Sequence, residues 1–312
     1  MKSLSAARAH PADEAGRALG FALALAGAVL FSAKAVVAKL TYRYGIDAVT
    51  LIAFRMLFAL PFFAAIAWVQ ARKAASGHVP ALTWRERLQV AGLGLLGYYL
   101  SSFLDFLGLQ TISAGLERLI LFLSPTMVLL ITALWLRRPI VGRQWLALAL
   151  SYLGVVLVFA RDVSFGGPAV VLGSAYVLAS ALTYALYLVF SGELLKRVGA
   201  TRLVAYAMTS SCVACLVQFL VVHPPAMLVQ PLGVYGLSAF HAVFNTVLPV
   251  FMVMWAVDRI GAPLAAQLGM IGPVSVLFIA NVALDEPITA WQLGGTALVL
   301  TGVFILSGVR KG

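Results

Sequence analysis

Five charged residues stand inside long apolar runs of this sequence: Lys34, Arg55, Asp105, Glu117 and Arg118. At the centre of a membrane-spanning helix such a residue costs roughly 2.5–3.5 kcal/mol on insertion scales, so each needs a partner, a wet cavity or a cargo. Counted from the centres of their runs, all five fall in one layer, with Lys34 about 7 Å and Asp105 about 10 Å to the same side. Three cations and two carboxylates nearly neutralise each other, and two chemistries follow. One is a set of salt bridges joining neighbouring helices, close enough to an interface for the longer side chains to snorkel. The other is a polar gate in which Lys34 or Arg55 takes a carboxylate of a passing molecule.

Aromatic and polar residues offer a second set of candidates. Tyr98, Tyr99, Phe103 and Phe106 lie on one run, and Tyr176, Tyr184, Tyr187 and Phe190 on another. The spacing of Tyr176, Tyr184 and Tyr187 puts them on one helical stripe. Such stripes usually pack or anchor at an interface. Tyr99 and Tyr184 sit near mid-run, where a hydroxyl needs a hydrogen-bond partner, and they are expected to line a cavity. His241, Phe244 and Asn245 occupy positions i, i+3 and i+4 of one helix face. A histidine and an amide facing lipid would be costly, so this face points inward, either for interhelical hydrogen bonds or for a substrate. Gln267, Ser101 and Ser102 are weaker candidates of the same kind.

Two motifs suggest soluble enzymes, and neither has the required setting. Gly92, Gly94 and Gly97 have the spacing G-x-G-x-x-G, which binds a dinucleotide only between a strand and a helix N-terminus. Here apolar residues flank the glycines on both sides, and close helix packing is the expected use. Cys212 and Cys215 form C-x-x-C within an apolar run, with no further ligands for zinc and nothing to activate a thiolate. They read as buried packing residues. No catalytic residue, metal site or cofactor is expected.

The elements that position these residues follow from composition. The chain has 312 residues, 62% hydrophobic and 11% charged, against roughly 25% charged in soluble domains. Lipid is the expected solvent. Crossing about 30 Å of hydrocarbon needs about 20 apolar residues in a helix. Ten stretches qualify: about 18–40, 48–69, 88–110, 114–136, 142–160, 168–192, 203–222, 232–256, 262–284 and 288–308. The fold class is therefore all-α integral membrane with ten transmembrane helices. A signal-peptide reading of the N-terminus, with "AKA" at 33–35 as cleavage site, yields to retention, because the apolar run continues to Leu40.

Basic residues orient the chain. With a cytoplasmic N-terminus, sixteen fall in inner loops and tails, three outside (Lys39, Arg43, Arg161) and three within spans (Lys34, Arg55, Arg118). Both termini are expected in the cytoplasm. The formal charge of +11 is thus spread over inner segments, as orientation requires and a nucleic-acid surface does not.

The chain also repeats itself. A shift of 148 residues carries Pro125, Pro139, Ile140, Gln144 and Gly154 onto Pro273, Pro287, Ile288, Gln292 and Gly302. Val128, Leu129 and Ile131 likewise meet Val276, Leu277 and Ile279. A shift of 154 aligns "KLTYRYG" (39–45) with "ELLKRVG" (193–199) and places Leu188 opposite Lys34. Each half, 18–160 and 168–308, holds five spans. Five is odd, so the second half must enter the membrane from the other side. Arg138 and its counterpart Glu286 carry the opposite charges that inversion favours. Two inverted five-helix repeats suit a secondary transporter, because halves related by an axis in the membrane plane can exchange conformations.

The segments "ALWLRRPIVGRQWLALALSYLGVVLVFA" and "NVALDEPITAWQLGGTALVLTGVFIL" resemble the ends of two EamA domains, of the ten-helix branch of the drug/metabolite transporter superfamily. "AFRMLFALPFF", with Arg55, is similar to the second helix of that domain, and "RIGAPLAAQLGMIGPVSVLFIA" to its ninth. The first half departs from the family with "RRPI" where a glycine–glutamate pair is usual, which puts any role of that acid in doubt at Arg138. The resemblance implies export of small metabolites, often amino acids, through a cavity lined by helices 1, 3, 4, 6, 8 and 9. A tyrosine-rich lining would suit the branch that exports aromatic amino acids.

The expected function is a non-enzymatic secondary transporter of the bacterial inner membrane, with a small-molecule substrate and the lipid bilayer as its partners. No Walker sequence couples it to ATP. Asp105, Glu117 or Glu193 offer a route for proton coupling, and facilitated diffusion fits as well. The alternatives are a channel-like facilitator and a membrane-embedded enzyme acting on a lipophilic substrate. The enzyme would need clustered acids or a nucleophile with its base, and the acids here are dispersed.

Overall fold

The computed structural model describes residues 11–308, except 78, 136 and 138. Lys2, Arg8, Arg138, Arg310 and Lys311, which enter the orientation argument, and the side chain of Glu193 lie outside the described residues. Among the described residues, every regular element is a helix. That is what an apolar solvent demands, since each backbone N–H and C=O must bond within its own segment.

Helix α1 runs Pro11–Ser32 and resumes as Lys34–Tyr42 after a break at Ala33. Then follow α2 (Ala48–Ala75), α3 (Trp84–Leu109) and α4 (Ala114–Leu121 with Ser124–Trp135). The next are α5 (Gly142–Gly166), α6 (Pro168–Val198), α7 (Ala200–Val222) and α8 (Leu232–Ile260). The last are α9 (Ala262–Leu268 with Ile271–Leu284) and α10 (Ala290–Gly308). Among the described residues, α1 to α9 each contain a stretch long and apolar enough to cross a membrane, and α10 contributes the shorter apolar helix Ala290–Leu306. The protein is a multi-pass membrane protein. Its outer surface agrees: Leu134, Phe165 and Val282 are each more than 80% exposed. All six tryptophans are also exposed, most of them near helix ends, where indole favours the headgroup layer.

Local chemistry sets the helix starts. Asp47 Oδ1 accepts the Thr50 N–H at 2.7 Å to open α2. Thr83 and Glu86 close a reciprocal capping box at α3, and Ser113 Oγ accepts the Leu116 N–H at 3.1 Å to open α4. These side chains satisfy donors that would otherwise be orphaned at a helix end. The interruptions in α4 and α9 precede Pro125 and Pro273 by a few residues. Proline cannot donate to the carbonyl four residues earlier; in α4 that carbonyl, Leu121, accepts the Ser124 hydroxyl at 2.7 Å instead.

Backbone irregularities recur at the spacing the sequence repeat has. A π-helical turn occupies Leu95–Leu100 in α3, and another begins at the equivalent position of the second half, Val243–Val247 in α8. The two share no side-chain pattern. Gln144 Oε1 accepts the Val141 N–H at 3.0 Å, and its repeat counterpart Gln292 Oε1 accepts the Thr289 N–H at 3.2 Å.

The packing pairs α1 with α8, α3 with α6, α2 with α7, α5 with α10, α4 with α6 and α1 with α9. Adding five to every helix number, cyclically, returns the same set. The α5–α10 crossing shows this in detail. A Cβ on Gly154 would lie 2.6 Å from the Gly295 carbonyl, and one on Gly302 would lie 2.6 Å from the Ala147 carbonyl. The offset that aligns the two halves exchanges these two contacts, since it carries Ala147 onto Gly295 and Gly154 onto Gly302. Because later residues of α5 meet earlier residues of α10, the helices run antiparallel.

Of the three glycines in the G-x-G-x-x-G spacing, two hold helices together. A Cβ on Gly94 would collide with the Ala207 carbonyl of α7, and one on Gly97 with the Tyr187 ring of α6. Gly92 has open space around it. Gly94→Ala should therefore destabilise by about 1–3 kcal/mol through overpacking, whereas Gly92→Ala should be neutral or stabilise by up to about 1 kcal/mol from helix propensity. Thermal unfolding of the two purified variants in detergent checks the order.

Candidate functional site

The break at Ala33 places Lys34 at the start of the second segment of α1, facing α3 and α4. Its ammonium lies 2.6 Å from Asp105 Oδ2 and 3.5 Å from Glu117 Oε1. Both carboxylates are almost fully buried and the lysine is 12% exposed. One ammonium thus ties three helices. Asp105 and Glu117 are also close neighbours of each other, and among the described residues the lysine is the cation that pairs with both buried carboxyl groups.

Arg55 on α2 and Arg118 on α4 are buried and form no salt bridge among the described residues. Their charges rest on aromatic faces instead. Arg55 Cζ lies 4.8 Å from the Phe106 ring centroid, and Arg118 Cζ lies 5.3 Å from Phe31 and 5.4 Å from Phe122. Lys34 Nζ reaches two of these phenylalanines, 5.6 Å from Phe31 and 5.8 Å from Phe106. Ring quadrupoles attract cations, and more strongly when water is excluded. Among the described residues, Arg55 Nε and Nη2 and Arg118 Nε have no hydrogen-bond partners. The cluster carries three formal positive charges against two negative ones, with guanidinium donors unsatisfied. Gly272 of α9 makes room for it, since a Cβ there would lie 2.7 Å from Ser32 Oγ and 3.0 Å from Arg118 Nη2.

His241 and Asn245 of α8 border the same region. The His241 ring meets Phe106 edge-on at 5.6 Å, and its Nε2 has no partner. Asn245 Nδ2 donates to the Leu30 carbonyl at 2.5 Å, just before the α1 break, and Asn245 Oδ1 is unsatisfied. Phe244 differs from the expectation that it shares this face. It is 40% exposed and stacks on Phe240 at 4.7 Å. The π turn of Val243–Val247 explains the difference, because its wider winding rotates the residues after His241 relative to an α-helical count.

Tyrosines occupy the α3–α6 contact. Tyr98 Oη and Tyr187 Oη are 3.2 Å apart, and Tyr184 stacks on Tyr187 at 5.8 Å. Tyr98, rather than Tyr99, joins this group; Tyr99 is half-buried and packs against the core around α2 and α7. Likewise Ser101 makes the interhelical bond, 3.0 Å from Ser180 Oγ, while Ser102 is half-buried beside it. Gln267 is exposed on α9, apart from the cluster, and Leu188, opposite Lys34 in the repeat, is also exposed.

About one turn beyond the Lys34 cluster, ionic contacts close over this end of the bundle. Lys39 Nζ lies 3.1 Å from Glu286 Oε1, and the Glu286 carboxylate accepts the Ala114 N–H at the start of α4. Ser113 Oγ donates to Asp162 of α5 at 2.9 Å. Cys212 and Cys215 are buried, with Cys212 Sγ 3.5 Å from Met56 Sδ. Among the described residues no group of three or more His, Cys, Asp or Glu side chains is placed to hold a metal ion.

In the sequence Tyr98 and Phe106 stand out no more than the other aromatic residues of their run, and Phe31 and Phe122 lie outside the expected site. A signal existed for the last two. Phe31 precedes Lys34 by three residues and Phe122 follows Arg118 by four, and both spacings bring an aromatic ring beside a cation on a helix.

The chain matches the EamA-like transporter family over residues 18–160 and 171–308. It is 31% identical to the uncharacterized transporter YcbK of Bacillus subtilis (strain 168) over 293 residues, which cover 92% of this chain and 93% of that protein. An uncharacterized transporter of Archaeoglobus fulgidus is 28% identical over 74% of this chain and 80% of its own length. Protein PecM of Dickeya dadantii is 23% identical over 74% and 77%. A crystal structure of a protein 19% identical superposes with a TM-score of 0.62, covering 95% of this chain and 97% of that one, and shows the fold alone.

Proposed function

Because the chain belongs to the EamA-like transporter family, we propose that it is a secondary transporter exporting small organic metabolites, amino acids and aromatic ones among them, by alternating access across a bacterial inner membrane. The observation that carries this reading is the buried cluster of Lys34, Arg55 and Arg118 around Asp105 and Glu117. Its excess of one formal positive charge and its unsatisfied guanidinium donors suit the carboxylate of an amino acid. The neighbouring tyrosines and phenylalanines suit an aromatic side chain.

Support for two inverted five-helix repeats, 18–160 and 168–308, comes from the antiparallel α5–α10 crossing. Two contacts that interchange across antiparallel helices are what a two-fold axis perpendicular to the helices produces, and in a bilayer such an axis lies in the membrane plane. Such halves can swap conformations around a shared site. In this reading the Lys39–Glu286 bridge belongs to the outer gate, and the spread of basic residues favours cytoplasmic termini. Proton coupling through Asp105 or Glu117 would be read as a dependence of flux on a pH gradient.

Counterflow in proteoliposomes tests the proposal. Vesicles loaded with unlabelled phenylalanine should accumulate labelled phenylalanine transiently and saturably. Flux that neither saturates nor shows counterflow would point to a channel. No flux with any amino acid would overturn the substrate class, and cysteine labelling of the two termini on opposite faces would overturn the architecture.

A further inference from the structure

At the end of the bundle opposite the Lys34 cluster, the C-terminal turns of α2, the start of α3 and the start of α7 enclose a cavity of about 450 Å³. Its walls are mostly apolar, with Ala71 and Ala74 from α2 and Val90 from α3 among them. Three groups in it are not apolar: Arg87, Arg202 and Tyr206. Arg202 is only 6% exposed, and its Nε has no hydrogen-bond partner among the described residues.

The nearby carboxylate of Glu86 feels the Arg202 charge only from a distance and makes its contact elsewhere. Glu86 Oε1 lies 2.8 Å from Arg197 Nε, while Oε2 accepts the Thr83 N–H and hydroxyl, each at 2.8 Å. Oε2 is thus taken by the α3 cap, and Oε1 pairs in charge with Arg197 rather than with Arg202. Arg202 therefore brings a charge into an apolar hollow without a salt bridge among the described residues. A buried charge left in that state is costly, and an anion would offset the cost.

The walls narrow the choice of anion. The hollow is much larger than a bare phosphate and is lined by methyl groups. Trp68 and Trp84, both exposed, stand three residues from the lining residues Ala71 and Arg87, and exposed indoles favour the headgroup layer. A ligand that is anionic at one end and apolar along its length fits both features. We propose that this cavity seats an anionic membrane phospholipid, its phosphodiester between Arg202, Arg87 and the Tyr206 hydroxyl and an acyl chain along the alanines of α2. Guanidinium groups bind phosphate oxygens through paired charge-assisted hydrogen bonds. In the orientation proposed above, on which this point rests, this end faces the cytoplasmic leaflet, whose surface is anionic.

The test uses the full chain purified in detergent, with thermal unfolding followed on adding phosphatidylglycerol, phosphatidylcholine or inorganic phosphate. Phosphatidylglycerol should raise the Tm of the native protein, because a ligand of the folded state stabilises it by mass action. Phosphatidylcholine and inorganic phosphate should not. Arg202→Gln and Arg87→Gln should each weaken the phosphatidylglycerol response at least about tenfold, the loss of one charge-assisted hydrogen bond. Arg87 is exposed, so its variant reports even if Arg202→Gln folds poorly. Equal shifts with both lipids, or an unchanged response in Arg87→Gln, would overturn the proposal. A shift with inorganic phosphate alone would identify a soluble phosphate as the ligand and overturn the lipid assignment.

Discussion

Lys34→Met should destabilise the protein by about 3–5 kcal/mol, the usual cost of leaving a buried charge without its partner, and should abolish counterflow. Two buried carboxylates share that one ammonium, at 2.6 and 3.5 Å. Removing it leaves Asp105 and Glu117 facing each other with only the charges of Arg55 and Arg118, neither of which forms a salt bridge to them, as compensation. The stability loss alone would not establish a transport role. The triple variant Lys34→Met, Asp105→Asn, Glu117→Gln separates the two, because neutral amides no longer need the cation. Its Tm should recover most of the loss while counterflow remains absent. Recovery of both would reduce the cluster to a structural bridge between α1, α3 and α4. An unchanged Tm in Lys34→Met would sink the electrostatic account itself.

Arg55→Met should act in the opposite sense on stability. Arg55 has no salt bridge among the described residues, and two of its nitrogens are unsatisfied, so its burial is held against a desolvation cost that Phe106 offsets only in part. A methionine of similar reach should leave stability unchanged or raise it by roughly 1–3 kcal/mol. Transport of a carboxylate-bearing substrate should meanwhile fall at least about tenfold, or 1.4 kcal/mol, through KM if Arg55 binds the carboxylate in the resting state. An amide analogue of the same amino acid should lose less. A variant that is more stable and less active indicates a residue kept for function at the expense of folding. A variant with lower Tm and unchanged flux would assign Arg55 to structure.

Much of the architecture was legible from residues taken a few at a time. Apolar runs of membrane-crossing length, the matched prolines of the two halves and the five charges inside those runs are all local facts. The solvent converts them directly into helices, because lipid admits no other way to satisfy an isolated backbone segment. The tenth run is the partial exception, since α10 is apolar but short among the described residues. The prolines and glycines matched at an offset of 148 were legible in the sequence. That Gly154 meets Gly295 while Gly302 meets Ala147 needed coordinates, since both contacts exist only where α5 and α10 cross.

Partner choice was not legible. Nothing in the sequence said that Lys34 would take both acids while Arg55 and Arg118 turned to phenylalanine rings, or that Tyr98 rather than Tyr99 would meet Tyr187. Composition along a run determines that a helix forms and where it lies in the membrane. Which side chains touch depends on the azimuth of each residue around its helix, and one π turn in α3 or α8 rotates every residue beyond it. That rotation is decided by how neighbouring helices pack, so Phe244 faces outward and Asn245 inward for reasons that only the tertiary structure contains.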